Sequence, residues 1–309
     1  MHVLTTELSE LDLSLTLRAG QVFGWDFVEE TQEWIGTVGS QLFALKQSSD
    51  GGSITYTFSG DGDEVNAKET LRNFFQLDVT FPELLTEWSE KDKFFGNVIG
   101  VDSKFRGLRI CRQDPFECLI SFIVSANNNI KRISQNLKSI RRNYGDLIGA
   151  ESEMHAFPTV AQLGKATSDE LRNLGLGYRA QYIVKTVERL QDPSVVSQLY
   201  SLREETNVES ARSFLLQFQG VGRKVADCVC LYSLDFPQVA PVDTHMFQIA
   251  QRLFSKSIKK DNRMHDVIQE LMIERFGDKA GWAHCFLFAA DLRDLQDTKP
   301  SEKRVRIRE

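Results

Sequence analysis

The stretch LLQFQGVGRKVADCVCLYSLDFPQVAPVDTHMF, residues 215–247, decides the reading of this chain. A Gly-Val-Gly turn (Gly220 to Gly222) runs into Arg223 and Lys224, and Asp243 follows nineteen residues after that lysine. Upstream, Val208, Ala211, Leu215 and Phe218 are spaced 3, 4, 3, the buried stripe of a helix. Thr206 and Glu209 carry the spacing of a capping box at its start. Downstream, Val225, Ala226, Cys228, Val229 and Leu231 make a helix apolar almost all round, which must be buried. Helix, Gly-X-Gly turn, helix is a helix-hairpin-helix. Its glycines permit left-handed backbone and remove side chains, so the free N–H groups of the next helix can approach an anion. A nucleic-acid phosphate suits such a site; a tight turn between two packed helices is the alternative.

Lys224 is the unexpected residue. The positive end of the helix dipole, the neighbouring Arg223 and partial burial all disfavour its ammonium form. It is either an amine nucleophile at neutral pH or a surface lysine touching phosphate. Asp243, after Pro241 and Val242, is either the cap of the following helix or a carboxylate that supports charge development beside Lys224.

Working outward, a chain of 309 residues is long enough for about two or three compact units. Its 21 Phe imply a sizeable core. No run of 18 apolar residues and no signal peptide is present, so an intracellular protein with no membrane association is expected. The cysteines at 111, 118, 228, 230 and 285 have no spacing suited to zinc or an iron–sulfur cluster, so neither a metal nor any other cofactor is expected. The net charge of −6 is unevenly spread. Residues 1–100 carry 6 Lys and Arg against 17 Asp and Glu, whereas 102–142 carry nine basic residues against three acidic ones. That segment is either a local face for a polyanion or a solvated helix surface.

The first 60 residues read as strands, most clearly SITYTFSG, and also EWIGTVGSQLFALKQ and LRAGQVFGWDF. From about residue 61 the pattern is helical. Asp114-Pro115 opens a helix, and Ile130, Ile133, Leu137 and Ile140 form one buried stripe after the Asn127-Asn128-Asn129 triplet. The expected fold is α+β and mostly helical. An N-terminal antiparallel sheet domain covers 1–112, an all-α helix-hairpin-helix domain covers 113–298, and 299–309 is a disordered basic tail.

The collinear motifs LRAGQVFGW, FFQLDVT, RQDPFECLISFIVSANNNIKRI, LGLGYRAQYI, GVGRKVADCVCL, PVDTHMFQIAQR and GWAHCFLFAADLR resemble the eukaryotic-type 8-oxoguanine DNA glycosylase/AP lyase family, of the helix-hairpin-helix glycosylases. The resemblance covers nearly the whole chain. It implies a monomer in the nucleus acting on double-stranded DNA with 8-oxoguanine opposite cytosine. It makes Lys224 the amine that attacks C1′ of a flipped-out nucleotide and forms a Schiff base, with Asp243 supporting the sugar's charge. Cys228 and Phe288 flank the base, the Gly20 carbonyl accepts its N7 hydrogen, and Pro241 borders the pocket. Asn127 fills the gap with support from Asn128. Arg132 and Arg179 read the orphaned cytosine, Tyr178 wedges at the kink, and His245 with the amides of Gly220 and Gly222 holds phosphates.

Two positions depart from the family pattern. Gln219 stands where a proline usually precedes the hairpin, and His284 stands where a glutamine reads the guanine edge. An imidazole cannot copy a bidentate amide, and excision is expected to vary with pH near the ordinary histidine value of about 6.5. Related adenine- or pyrimidine-removing enzymes carry a cysteine cluster that this chain lacks, and alkylated-base enzymes lack the lysine. A non-catalytic DNA-gripping hairpin, or a preference for another oxidised purine, are the competing readings.

Overall fold

A computed structural model describes residues 1–6, 10–99, 104–148, 153–254 and 258–292. The expectation of a disordered tail at 299–309 lies outside the described residues. Five antiparallel strands, β1 (His2–Thr5), β2 (Trp25–Val28), β3 (Glu33–Val38), β4 (Gln41–Gln47) and β5 (Ser53–Gly60), form one sheet in the order β1-β5-β4-β3-β2. The alternation in SITYTFSG puts Ile54 and Tyr56 in the core, paired across to Gln47 and Leu45. LRAGQVFGWDF is not one strand. Leu17 and Arg18 end a helix, α1 (Leu13–Arg18), because the Asp12 carboxylate caps it by accepting from Leu15 N at 2.9 Å. Gly20, at φ +76°, then turns the chain towards β2.

Helices α2 (Glu64–Phe74) and α3 (Phe81–Lys91) follow. Helix α4 (Pro115–Ser125) has Asp114 as its cap, accepting from Phe116 N and Glu117 N. In α5 (Ile130–Tyr144), Ile133, Leu137 and Ile140 are buried, but Ile130 is 36% exposed. It leaves the expected stripe because it lies over Gly20 instead. Leu147–Ile148 and Met154–His155 form a small second sheet that the sequence did not announce. Helices α6 (Arg179–Leu190), α7 (Val208–Leu215), α8 (Arg223–Ser233), α9 (Thr244–Phe254), α10 (Met264–Phe276) and α11 (Ala280–Asp291) complete the frame of the site.

Side-chain packing does not divide the chain in a single linear cut. The smaller core joins the sheet to α1, α2 and Cys111. The larger core gathers α4 to α11, and it also takes in Leu15, Ala19, Phe23, Phe81, Leu85, Trp88 and residues 105–110. Arg109 fastens the junction from within. Its guanidinium is fully buried and donates to the carbonyls of Phe75 (3.0 Å), Gln76 (2.6 Å) and Val79 (2.8 Å), and to Glu10 at 3.2 Å. It also lies 4.4 Å from the Phe81 ring centroid. Burial lowers its pKa to about 10, partly offset by Glu10. Arg109→Met removes every one of these donors while keeping the bulk. It should lower unfolding free energy in urea by about 3–5 kcal/mol; a loss under about 1 kcal/mol would mean that solvent satisfies these carbonyls.

Candidate active site

The hairpin is built from α7 and α8. Asn207, not Thr206, caps α7, accepting from Glu209 N at 2.9 Å, so the expected capping box does not form. The turn needs glycine at 220: φ is +84°, and a Cβ there would sit 2.4 Å from the Tyr182 ring. At Gly222 the reason differs. It is the N-cap of α8, without a side-chain cap, and nothing lies within 4 Å of a Cβ built there. The start of α8 is thus without a side-chain cap and lies behind an exposed glycine. Beyond it α8 is buried from Val225 through Ser233, as its apolar surface requires.

Lys224 is half-buried, with Nζ 5.2 Å from the centroid of Phe122 on α4. Arg223 does not crowd it. At 100° per residue the two side chains leave α8 on different faces. Arg223 turns away to Asp227 (3.2 Å) and to Asp266 (2.9 Å).

Asp243 caps the following helix, as one of its sequence readings expected. One oxygen, Oδ1, caps α9 by accepting from His245 N (2.9 Å) and Met246 N (2.8 Å). The carboxylate also lines a cavity of about 650 Å³ together with Lys224. Gly20, Asn127, Asn128, His245 and Phe288 line the same cavity. Gly20 is pressed by Ile130, whose Cδ1 would lie 3.1 Å from a Cβ on that residue. Cys228, Pro241 and His284 are buried beside the cavity rather than lining it. Burial pushes the Cys228 thiol up to about 11, against the pull of Lys224. Among the described residues, no group of three His, Cys, Asp or Glu is placed to hold a metal ion.

His284 is 4% exposed and stacks on Phe288, with centroids 5.9 Å apart and planes 25° from parallel. Desolvation lowers its pKa to about 4, Lys224 acts in the same direction, and Asp243 and the Pro241 carbonyl oppose it. The imidazole is therefore neutral well above and below pH 6.5, and the expected pH dependence of excision from this residue falls away.

The Asn127 loop is held from behind. Asn127 has φ +49°, a conformation that costs a non-glycine residue about 1–3 kcal/mol. Arg179, 4% exposed, donates through Nε and Nη2 to the Ala126 carbonyl (2.8 and 2.6 Å) and through Nη2 to that of Asn127 (2.7 Å). Most of its donors are thus occupied in the free protein. Tyr178 is 49% exposed, reaches the same Ala126 carbonyl at 3.2 Å, and packs edge-on against Tyr182. Arg132 is more available, with Nη2 on the Gly175 carbonyl at 3.1 Å. Asn128 donates to the Val124 carbonyl, while Asn129 caps α5.

The basic segment 102–142 is not one face. Arg109 is internal, Arg112 pairs with Asp235, the buried Arg141 pairs with Glu117, and Lys138 reaches Asp26. Lys131 lines the cavity.

Sequence reasoning passed over Phe122, Phe23 and Ile130 in the cavity wall, because apolar side chains there look like any other core stripe. It also missed Asp291, whose Oδ2 lies 2.8 Å from His245 Nε2, an ion-pair distance without hydrogen-bond alignment. Nothing in the spacing of residues 245 and 291 signals that contact.

An open hairpin leading into a buried helix, set against a strand-rich N-terminal unit, is helix-hairpin-helix architecture. Residues 3–119 match the family model for the 8-oxoguanine DNA glycosylase N-terminal domain, and residues 120–273 match that of the HhH-GPD superfamily base excision DNA repair proteins. The N-glycosylase/DNA lyase OGG1 of Arabidopsis thaliana is 36% identical over 292 residues, covering 92% of this chain and 78% of its own. The N-glycosylase/DNA lyase of Saccharomyces cerevisiae is 34% identical, covering 92% and 84%. The Clostridium acetobutylicum 8-oxoguanine glycosylase/lyase, solved with double-stranded DNA containing cytosine opposite 8-oxoguanine, superposes with a TM-score of 0.80 at 26% identity, covering 94% and 97%. The chain belongs to the 8-oxoguanine DNA glycosylase family.

The buried imidazole makes a stability prediction. In the unfolded chain a histidine protonates near pH 6.5, but in the folded protein His284 does so only near 4, so unfolding takes up a proton between those values. Stability from this group is complete above about 6.5 and falls as the pH drops towards 4, by at most roughly 1.4 kcal/mol per pH unit. The stability of wild type relative to His284→Gln, followed by denaturant titration, should therefore decline from pH 6.5 to 4 and stay level above 7. A level difference throughout would place the imidazole in contact with water.

Proposed function

We propose that this protein is a bifunctional DNA repair enzyme that excises 8-oxoguanine opposite cytosine and then nicks the strand. The observation that carries the reading is the meeting of Lys224 and Asp243 in one cavity at the uncapped start of α8. The family and the relatives named above support 8-oxoguanine in DNA as the substrate.

A base inside a duplex is out of reach, so the nucleotide must leave the stack. The neutral Lys224 amine then attacks C1′. The N-glycosidic bond breaks with its electron pair leaving on the base, and the nitrogen gives up a proton. Opening of the sugar ring at O4′ yields a Schiff base. Loss of a C2′ proton and departure of the 3′ phosphate oxygen complete β-elimination. Asp243 spends one oxygen on its helix cap, so its charge is held rigidly near the sugar, where it opposes the positive charge that develops as the base departs. Gly20 offers a backbone carbonyl to N7–H, which normal guanine lacks. Phe288 supplies a flat apolar wall. Gly220, Gly222 and His245 hold phosphates, and Asn127 enters the vacated space.

Borohydride should trap the wild-type protein covalently on DNA with 8-oxoguanine opposite cytosine. Lys224→Gln should lose trapping and base release yet still bind that DNA, and an adduct from this variant would assign the chemistry to another amine. Asp243→Asn keeps the capping oxygen but not the charge. Its single-turnover rate should fall at least tenfold, about 1.4 kcal/mol of transition-state stabilisation; an unchanged rate would leave Asp243 a helix cap only.

The two arginines should separate. Arg132 has donors to spare for cytosine O2 and N3, so Arg132→Ala should cut the preference for cytosine over other opposite bases by about 1–3 kcal/mol. Arg179 holds the Asn127 backbone, and Arg179→Ala should slow excision against every opposite base. Equal losses in Arg132→Ala across all four opposite bases would make it a phosphate contact.

A further inference from the structure

Helix α8 begins at the exposed Gly222 without a side-chain cap. A glycine-rich turn ahead of an uncapped helix start has little of its own to fix the rotation of the first turn. Yet that rotation decides where Lys224 points. The adjoining face of the same turn carries an unusual arrangement. Asp227, 1% exposed, accepts from Arg212 Nε of α7 at 2.6 Å and from Arg223 Nε at 3.2 Å. Arg212, 3% exposed, also pairs with Glu209 at the start of α7. Arg223 continues to Asp266 on α10 at 2.9 Å.

This chain of charges is costly. Burial pushes the Asp227 carboxyl above its ordinary range despite two guanidinium neighbours, and Arg212 Nη2 has no partner at all. Burial works against the Arg212 charge too, but there Asp227 and Glu209 together outweigh it and hold its pKa above the ordinary range. Buried pairs of this kind are often no more stable than apolar residues of the same volume, so stability alone is a poor reason to have one.

We infer that Arg212, Asp227, Arg223 and Asp266 form a positioning device for Lys224: they fix the first turn of α8 from its adjoining face, so that the lysine faces the cavity while the leading amides stay uncapped. The inference rests on the assignment of Lys224 as the nucleophile. A conventional Asp or Ser cap would occupy the amides that a phosphate needs. Anchoring the turn through Arg223 and Asp227, at i and i+4, leaves them open. The tie through Arg212 crosses directly to α7, so the two hairpin helices are locked to each other beneath the flexible glycines.

The double variant Arg212→Met/Asp227→Leu removes both buried charges and should keep its melting temperature. Its single-turnover base release on DNA with 8-oxoguanine opposite cytosine should fall at least tenfold, with Kd for that DNA changed less than threefold. Without DNA, amide hydrogen exchange at residues 220–226 should accelerate. Arg212→Lys, which keeps the pair, should retain most of the rate. A folded double variant with wild-type rate and exchange overturns the inference. Should the double variant not fold, Arg223→Gln, which cuts only the half-buried end, is expected to fold, to exchange faster at 220–226 and to release base at least threefold more slowly; unchanged values there also overturn it. Failure of the proposed function looks different, because the wild type itself would then neither trap nor release base, while the exchange readout would still respond to the network.

Discussion

The site depends on one helix-to-helix contact, that of α8 on α4. Phe122 of α4 stacks on Tyr232 of α8 with centroids 5.4 Å apart and planes 8° from parallel, and the same ring lies under the Lys224 ammonium. Phe23 from the N-terminal unit meets it edge-on at 6.1 Å. One aromatic side chain thus joins the end of α8, the first turn that carries Lys224 and the segment that brings Gly20. Because helix interfaces are close-packed, a shift of α8 along α4 costs contacts along its whole length. Lys224 inherits its position from the core rather than from the loop before it.

Much of this was legible in the sequence, and the reasons are physical. The hairpin was readable because two helix-period stripes flank a Gly-X-Gly turn, and only glycine suits the Gly220 position. The capping of α4 and the alternation of β5 were readable for similar local reasons. LRAGQVFGWDF misled because scattered apolar residues fit a short strand, whereas the signal that mattered, Asp12 capping α1, lay just upstream of it. Ile130 fitted the helical stripe by spacing alone, and only the approach of Gly20 from a distant segment draws it out of the core.

Charges were the least legible feature. Nine basic residues between 102 and 142 look alike in a sequence, and their neighbours in space decide what each one does. Arg109 closes the junction between the two cores, Arg141 is sealed against Glu117, and Lys131 reaches the cavity. His284 was misjudged in the same way: burial, invisible in the sequence, keeps it neutral. The partners of Arg223 lie four residues ahead on its own helix and on α10, and only the first of these has a spacing that a sequence reveals.

Tyr182 has a part larger than its place in the first turn of α6 suggests. Its ring lies against Gly220 of the hairpin on one side and against Tyr178 on the other, and Tyr178 in turn reaches the Ala126 carbonyl beside Asn127. The hairpin and the asparagine loop are separate in sequence, yet this short aromatic bridge fixes the span between them like the jaws of a caliper set to one opening. On the proposed function, a duplex held at both points meets this fixed spacing, and the duplex takes up any difference. Bending a site by several tens of degrees costs roughly 1–6 kcal/mol in intact DNA and less where a base pair is already weak.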